Sequence, residues 1–421
     1  MKLQKILSRF LKLHPKEIDL SLDRIKILCE KLGNPQNKIK AISVVGTNGK
    51  QSTINVIFSI FKEAKIKCNI YTSPHIQRIN ERFIFNNREL DDEKLANLFE
   101  EVEKINDNQE ITFFEILTAC YFYKAAQYPN NINLIEAGLF HRYDATNILK
   151  NNLASIVCSI SKDHLDWLPK NQQTIEKIVF EKTSSLLNSN IIISKQNSMD
   201  TIGCIKKTIS KNSSKKFYFN EDFSYSYGEN GFFYYEDKFG GLKLPHPNIL
   251  GQFQLENIST AIATLRLLNF NIKDDDIKTG ITKIKNLGRL QEIKTGKLKK
   301  LLKNNQLIID GSHNEDGARV LNEYLQTLNC NKHIILGMMA NKDHEKYISY
   351  FKDISSLTTI DIPGQTNSIS GKKLKEKFKN IQNVTYKKNI KQAIESIPLR
   401  ENDLVIITGS LYLAGEMLNL N

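Results

Sequence analysis

The chain has 421 residues, 40% of them apolar and 25% charged, which is ordinary for a soluble globular protein and too long for a single core. Lys and Arg exceed Asp and Glu by 13, a balance that attracts anions of any kind. The basic residues are dispersed, many in stretches such as KNSSKK and KLKKLLKNN, so charge singles out neither nucleic acid nor lipid.

The N-terminal MKLQKILSRFLKLHPKE carries Leu3, Ile6, Leu7, Phe10 and Leu11 at helical spacing and lacks the continuous apolar segment of a secretory signal. AISVVG (41–46) reads as a buried strand leading into the helical QSTINVIFSIFKEA. INLIEAG (132–138), ASIVCSI (154–160) and IIISK (191–195) are further unalternating apolar runs, the pattern of a mainly parallel sheet. FFEILTACYFYKAAQ and QLENISTAIATLRLL lie between or after them as helices, the latter with Leu255, Ile258, Ile262 and Leu265 on one face. From about 216 to 245 aromatic and polar residues alternate around a Gly-Glu-Asn-Gly turn, which predicts an antiparallel hairpin. After a composition shift at 294–306, LIIDG, HIILGMM, LTTIDI and LVIITGS alternate with helices and predict a second α/β domain, with the boundary near 296. The six cysteines (Cys29, Cys68, Cys120, Cys158, Cys204, Cys330) form no CxxC pair, which fits free thiols in a reducing compartment, the cytoplasm.

VVGTNGKQST (44–53), set between a strand and a helix, carries the strongest chemical signal. Gly46 and Gly49 let the backbone approach a polyphosphate, and the helix N-terminus turns amide N–H groups and a positive dipole end toward it. Lys50 supplies a point charge for the outer phosphates, and a hydroxyl of Ser52 or Thr53 can reach a phosphate or Mg²⁺. The general phosphate-loop pattern is not met, because Val44 stands where it has Gly and Gln51 where it has Ser or Thr.

At GTNGK the chain resembles the Mur-ligase superfamily and, within it, the dihydrofolate synthase/folylpolyglutamate synthase family. The resemblance recurs in order at YTSPHIQRINERF (71–83), TFFEILTA (112–119), EAGLFHRYDATN (136–147), SKDHLDWL (161–168) and FEKTSS (180–185). It continues at GQFQLEN (251–257), GRLQ (288–291), DGSHNEDGA (310–318) and TGSLYLAGE (408–416). It implies an α/β fold with an N-terminal P-loop-type ATPase domain, 1–295, that binds ATP and folate on a mainly parallel sheet. A smaller Rossmann-like glutamate-ligase domain, 296–421, follows, with the nucleotide at the junction. The implied activity activates a carboxylate with the ATP γ-phosphoryl group, giving an acyl phosphate that the glutamate amine attacks. Dihydropteroate would yield dihydrofolate, and reduced folates would gain further glutamates. A monofunctional folylpolyglutamate synthase and another Mur-type amino-acid ligase are the alternatives. Peptidoglycan-precursor ligases typically carry an extra N-terminal domain, whereas about 40 residues precede the phosphate loop here.

Carried over by position, the resemblance implies that ATP meets Thr47, Asn48, Gly49, Lys50, Gln51, Ser52, Asn257, Arg289 and Asp310. Ser73, Glu136, His164 and Lys182 would hold Mg²⁺, two ions in all, with Lys182 carbamylated so that an ammonium becomes a carboxylate-like ligand. Lys50, Lys182 and His313 would act in catalysis, and His313 and Ser410 would bind glutamate. The folate side would comprise Glu17, Ile18, Asp19, Leu20, Thr112, Phe113, Phe114, Glu115, Tyr143, Asp144 and Ala145. Other readings stand beside these: a salt-bridged carboxylate for Glu136, core packing for Phe113 or Phe114, and a helix N-cap for Asp310. Partners are expected to be small molecules only, with no nucleic acid or membrane, and the chain a monomer. Three departures from the family pattern matter. Gln51 replaces a usual Gly, and Thr183-Ser184-Ser185 follow Lys182 in place of Ala-Gly-Ile. Phe140-His141 replace Gly-Gly, so a positive φ there would strain Phe140 or rearrange the loop.

Overall fold

The computed structural model describes residues 2–16, 19–229, 231–378 and 383–421. Internal contacts divide the chain into two compact units, Met1–Asn248 with Glu256–Ile284, and Ile249–Leu255 with Lys285–Asn421. The composition shift at 294–306 therefore falls within the second unit.

The strands of the first unit's large sheet are β1 (Lys40–Val45), β2 (Cys68–Tyr71), β3 (Phe83–Phe85), β4 (Arg88–Glu89), β5 (Ile132–Glu136), β6 (Asn152–Val157), β7 (Asn190–Ile193) and β8 (Lys216–Tyr218). Their order is β4-β3-β2-β5-β1-β6-β7-β8. From β2 to β8 every pair is parallel, and only β3 and β4 at one edge are antiparallel. The unalternating runs of β1, β5, β6 and β7 are explained by burial along nearly their whole length. The edge pair turns at Asn86 and Asn87, both left-handed, as a two-residue hairpin requires. The amphipathic N-terminus forms the helix Lys2–Phe10 and buries Leu3, Ile6 and Phe10. Phe10 packs on Phe99 with ring centroids 5.5 Å apart.

The hairpin expected at 216–245 is corrected in two respects. Lys216–Tyr218 joins the large sheet beside β7. The remainder forms a separate three-stranded antiparallel sheet of β9 (Phe223–Tyr227), β10 (Phe232–Asp237) and β11 (Gly240–Pro245). A second reversal accounts for the extra strand: Asp237 Oδ1 accepts the Phe239 N–H at 2.8 Å, and Gly240 takes φ 105°.

The second unit contains β12 (Gln291–Glu292), β13 (Gln306–Ile309), β14 (Lys332–Leu336), β15 (Ser356–Ile360), β16 (Val384–Lys387) and β17 (Leu404–Thr408), in the order β12-β13-β17-β14-β15-β16. The four apolar runs become β13, β14, β15 and β17, while the polar β16 and the two-residue β12 are additional. Placing β17 between β13 and β14 sets the loops after β13 and β17 side by side. Open α/β sheets bind ligands at such a carboxyl edge. The α/β class and the largely parallel sheets match the expectation. Among the described residues, no helix is long and apolar enough to cross a membrane.

Candidate active site

The loop between β1 and the helix Lys50–Glu63 is held from below by the loop after β6. Thr47 N and Asn48 N donate to Ser159 O at 2.8 and 3.1 Å, and Thr47 Oγ1 donates to Ser161 O at 3.0 Å. Both glycines are required. At Gly46 (φ 144°) a Cβ would fall 2.8 Å from that of Cys158, and at Gly49 (φ 88°) it would fall 2.5 Å from Asn257 Oδ1. Asn257, distant in sequence, thus lies against the backbone of this loop. The Thr53 hydroxyl donates to Gly49 O at 2.9 Å. Lys50 Nζ donates to Thr47 O at 3.2 Å and lies 3.7 Å from Glu136 Oε1.

Glu136 ends β5 with only 4% of its surface exposed and accepts the Ser73 N–H at 3.2 Å. A carboxylate, a serine hydroxyl and phosphate oxygens are the hard donors that Mg²⁺ prefers, with waters completing the shell. Among the described residues there is no group of three or more His, Cys, Asp or Glu able to hold a metal ion. The Glu136 carboxylate and the Ser73 hydroxyl are hard donors of that type.

Lys182 is 3% exposed and donates to Gly46 O at 2.8 Å. Burial, and then the neighbouring Lys50 charge, lower its pKa to about 7, against the opposing pull of Asp163 and Asp144. Asp163 was passed over in the sequence, although it adjoins His164 in SKDHLDWL. Its carboxylate takes the His164 backbone N–H at 2.8 Å. His164 has φ 56°.

The flagged conformation at Phe140 is present, with φ 55° and 3% exposure. For so bulky a residue this costs on the order of 1–3 kcal/mol. The loop is pinned on both sides of it. Asp144 Oδ2 accepts the N–H groups of Gly138 and Leu139 at 2.9 and 3.0 Å, and Glu181 O accepts those of His141 and Arg142 at 3.1 and 3.0 Å. Arg142 forks onto the Glu181 carboxylate at 2.8 and 3.0 Å and stacks 4.5 Å from the Tyr143 ring. Burial and the Lys182 charge push His141 down to about 4, while burial raises Asp144 against its hydrogen bonds.

Of the expected folate-side residues, Glu17 and Ile18 lie outside the described residues. Asp19 and Glu115 converge on Arg24, at 2.8 Å and at 3.0 and 3.1 Å. Glu115 also takes the Thr112 N–H at 2.8 Å and returns its own N–H to Thr112 Oγ1 at 3.3 Å. This reciprocal box starts the helix Phe113–Ala125. Phe113 and Phe114 are half-buried against the core, and Phe114 stacks on Tyr71 at 5.9 Å. Phe114 also abuts the Asp144 loop, since a Cβ on Gly138 would meet its Cζ at 2.9 Å. Leu20 and Tyr143 are exposed and Ala145 is buried. Arg24→Ala would leave the Glu115 carboxylate, 4% exposed, without its cation. The expected loss of about 3 kcal/mol is measurable by urea denaturation.

In the second unit Asp310 directly follows β13 and accepts the N–H groups of Leu290 and Ser312, both at 2.9 Å. The helix N-cap considered for it belongs instead to Asn314, which accepts from Gly317 N at 2.9 Å. Arg289 is half-buried between Gly288 (φ 60°) and Leu290 (φ 47°). His313 Nδ1 donates to Gly311 O at 2.9 Å. Ser410 caps the helix Leu411–Leu420, accepting from Tyr412 N at 3.1 Å. His313 and Ser410 thus stand on the adjacent loops after β13 and β17.

Residues 288–411 match the family model described as Mur ligase, glutamate ligase domain. Over 97% of its length the chain is 30% identical to the dihydrofolate synthase/folylpolyglutamate synthase of Haemophilus influenzae, covering 95% of that protein. It is 28% identical to the Bacillus subtilis protein of the same name, over 94% of each. A structure of E. coli FolC in complex with DHPP and ADP matches with TM-score 0.87 at 26% identity, over 99% of this chain and 97% of that one. Folylpolyglutamate synthase from Thermotoga maritima matches with TM-score 0.81 at 26% identity, over 99% and 98%. The class is thereby defined as a ligase of the Mur type. Within it, the chain belongs to the dihydrofolate synthase/folylpolyglutamate synthase family.

Proposed function

We propose that this protein joins L-glutamate to dihydropteroate and extends reduced folates with further glutamates, consuming ATP through an acyl phosphate. The observation that carries this is the phosphate loop, where Lys50 lies 3.7 Å from the buried Glu136 and Asn257 backs Gly49. Such chemistry depends mainly on positioning and charge neutralisation. Lys50 neutralises the outer phosphates, and the Lys50–Glu63 helix N-terminus offers them its amides. Ser73, Glu136 and His164 would hold Mg²⁺, whose charge offsets that of the transferring phosphoryl group. Phe114 and Asp144 would face the acceptor. Asp310 is read as a ribose contact, Arg289 as a phosphate contact, and His313 and Ser410 as glutamate contacts.

Lys182 is read as carbamylated. Carbamate forms from a neutral amine and CO₂, and a pKa of about 7 leaves much of the amine neutral at physiological pH. Binding of ADP and DHPP by E. coli FolC supports the same substrate classes.

The assay is glutamate-dependent ADP release with dihydropteroate and tetrahydrofolate offered separately. Release with both is expected. Release with tetrahydrofolate alone would reduce the protein to a folylpolyglutamate synthase. Release independent of glutamate would sink the reading.

A further inference from the structure

Phe140 occupies a backbone conformation that phenylalanine rarely adopts, and the surrounding hydrogen bonds hold it there. Strain of this kind persists only where neighbouring contacts over-determine it, and it concentrates at functional sites. The conformation carries the ring to two groups on different segments. Lys182 Nζ lies 5.5 Å from its centroid. The His164 imidazole meets it edge-on, with centroids 6.4 Å apart and planes at 73°. His164 is itself left-handed, with a side chain 36% exposed, so packing against this ring restrains an otherwise accessible imidazole.

We infer that Phe140 is a positioning residue, whose single ring fixes the Lys182 side chain and the His164 imidazole relative to each other. The inference rests on the reading of those two as metal-holding residues. Core filling alone makes a different demand. Phe140 does belong to the buried cluster that contains Val45, Val157 and Ile178, and for that purpose any apolar side chain of like volume serves. Positioning needs a flat, rigid ring, which bounds the Lys182 side chain and meets the imidazole at once.

The test measures Mn²⁺ binding by electron paramagnetic resonance on the full chain with ADP and no acceptor, so turnover does not enter. Phe140→Leu, Phe140→Tyr, His164→Ala and the Phe140→Leu/His164→Ala pair are compared with the parent, each with its melting temperature. Phe140→Met replaces the leucine variant if that does not fold. Phe140→Leu is expected to weaken Mn²⁺ binding about tenfold, the scale of losing a residue that orients a ligand. Phe140→Tyr should restore the parent value. The double variant should lose less than the product of the two single losses, because the effects are coupled. Binding by Phe140→Leu within about twofold of the parent, with only the melting temperature lowered, overturns the inference, as do fully multiplicative losses. Unchanged binding in His164→Ala is a separate result that overturns the reading of the metal residues themselves.

Discussion

Lys50→Ala should lower glutamate-dependent ADP release by about a thousandfold while the protein stays folded. Removing one well-placed group that stabilises transition-state charge costs about 10²–10³ in rate, and here the full ammonium charge at the outer phosphates is lost. The structural cost is small by comparison. The amine makes one hydrogen bond, to Thr47 O, and a 3.7 Å approach to Glu136. The loop is anchored independently through Ser159 and Ser161. A melting curve close to the parent's, together with lost turnover and weakened ADP binding, is the expected combination. Turnover within tenfold of the parent would mean that the phosphates sit elsewhere. The change should also raise the pKa of Lys182, because the Lys50 charge is the second cause of its depression after burial.

That pairing of Lys50 with Lys182 marks the limit of what the sequence made legible. Local signals carried well. GTNGK between an apolar run and a helical pattern predicted a glycine-supported phosphate loop, and both glycines prove sterically necessary. Buried parallel strands were readable because burial along nearly their whole length leaves no polar alternation. Edge strands were not: Val384–Lys387 is polar and partly exposed, and Gln291–Glu292 is too short for any period to show. The aromatic alternation at 216–245 announced β structure but not which sheet would take its first strand. At the site, Arg24 pairs with the nearby Asp19 and with Glu115, 91 residues away, a link that no local pattern encodes. Phe140 was flagged by its departure from the family's glycines, yet its contacts with Lys182 and His164 come from two loops and the helix Ile175–Thr183 meeting.

Lys182→Met should abolish most turnover and make the protein more stable at neutral pH. A buried amine whose pKa falls from its ordinary 10.5 to about 7 burdens the fold by at most about 5 kcal/mol. The hydrogen bond to Gly46 O and the Phe140 ring already offset part of its desolvation. Between pH 7 and 10.5 the unfolded chain keeps this amine protonated while the folded chain does not, so the unfolded state binds more protons and stability rises with pH. Below pH 7 both states are protonated and the burden is constant. Methionine fills the space without a charge and carries no such burden. In CO₂-free buffer the variant's melting temperature should therefore exceed the parent's at pH 6, with the gap clearly narrower at pH 9. A gap that widens with pH would show that the parent's amine is stabilising in its charged form. Activity moves the other way. If the carbamate supplies a metal-holding carboxylate worth several kcal/mol, its loss costs at least about a hundredfold in turnover. The parent supplied with labelled bicarbonate should then show a carbamate carbon resonance that the variant lacks. A residue that weakens its own fold at neutral pH is retained for chemistry, and full turnover in Lys182→Met would leave that burden without a reason.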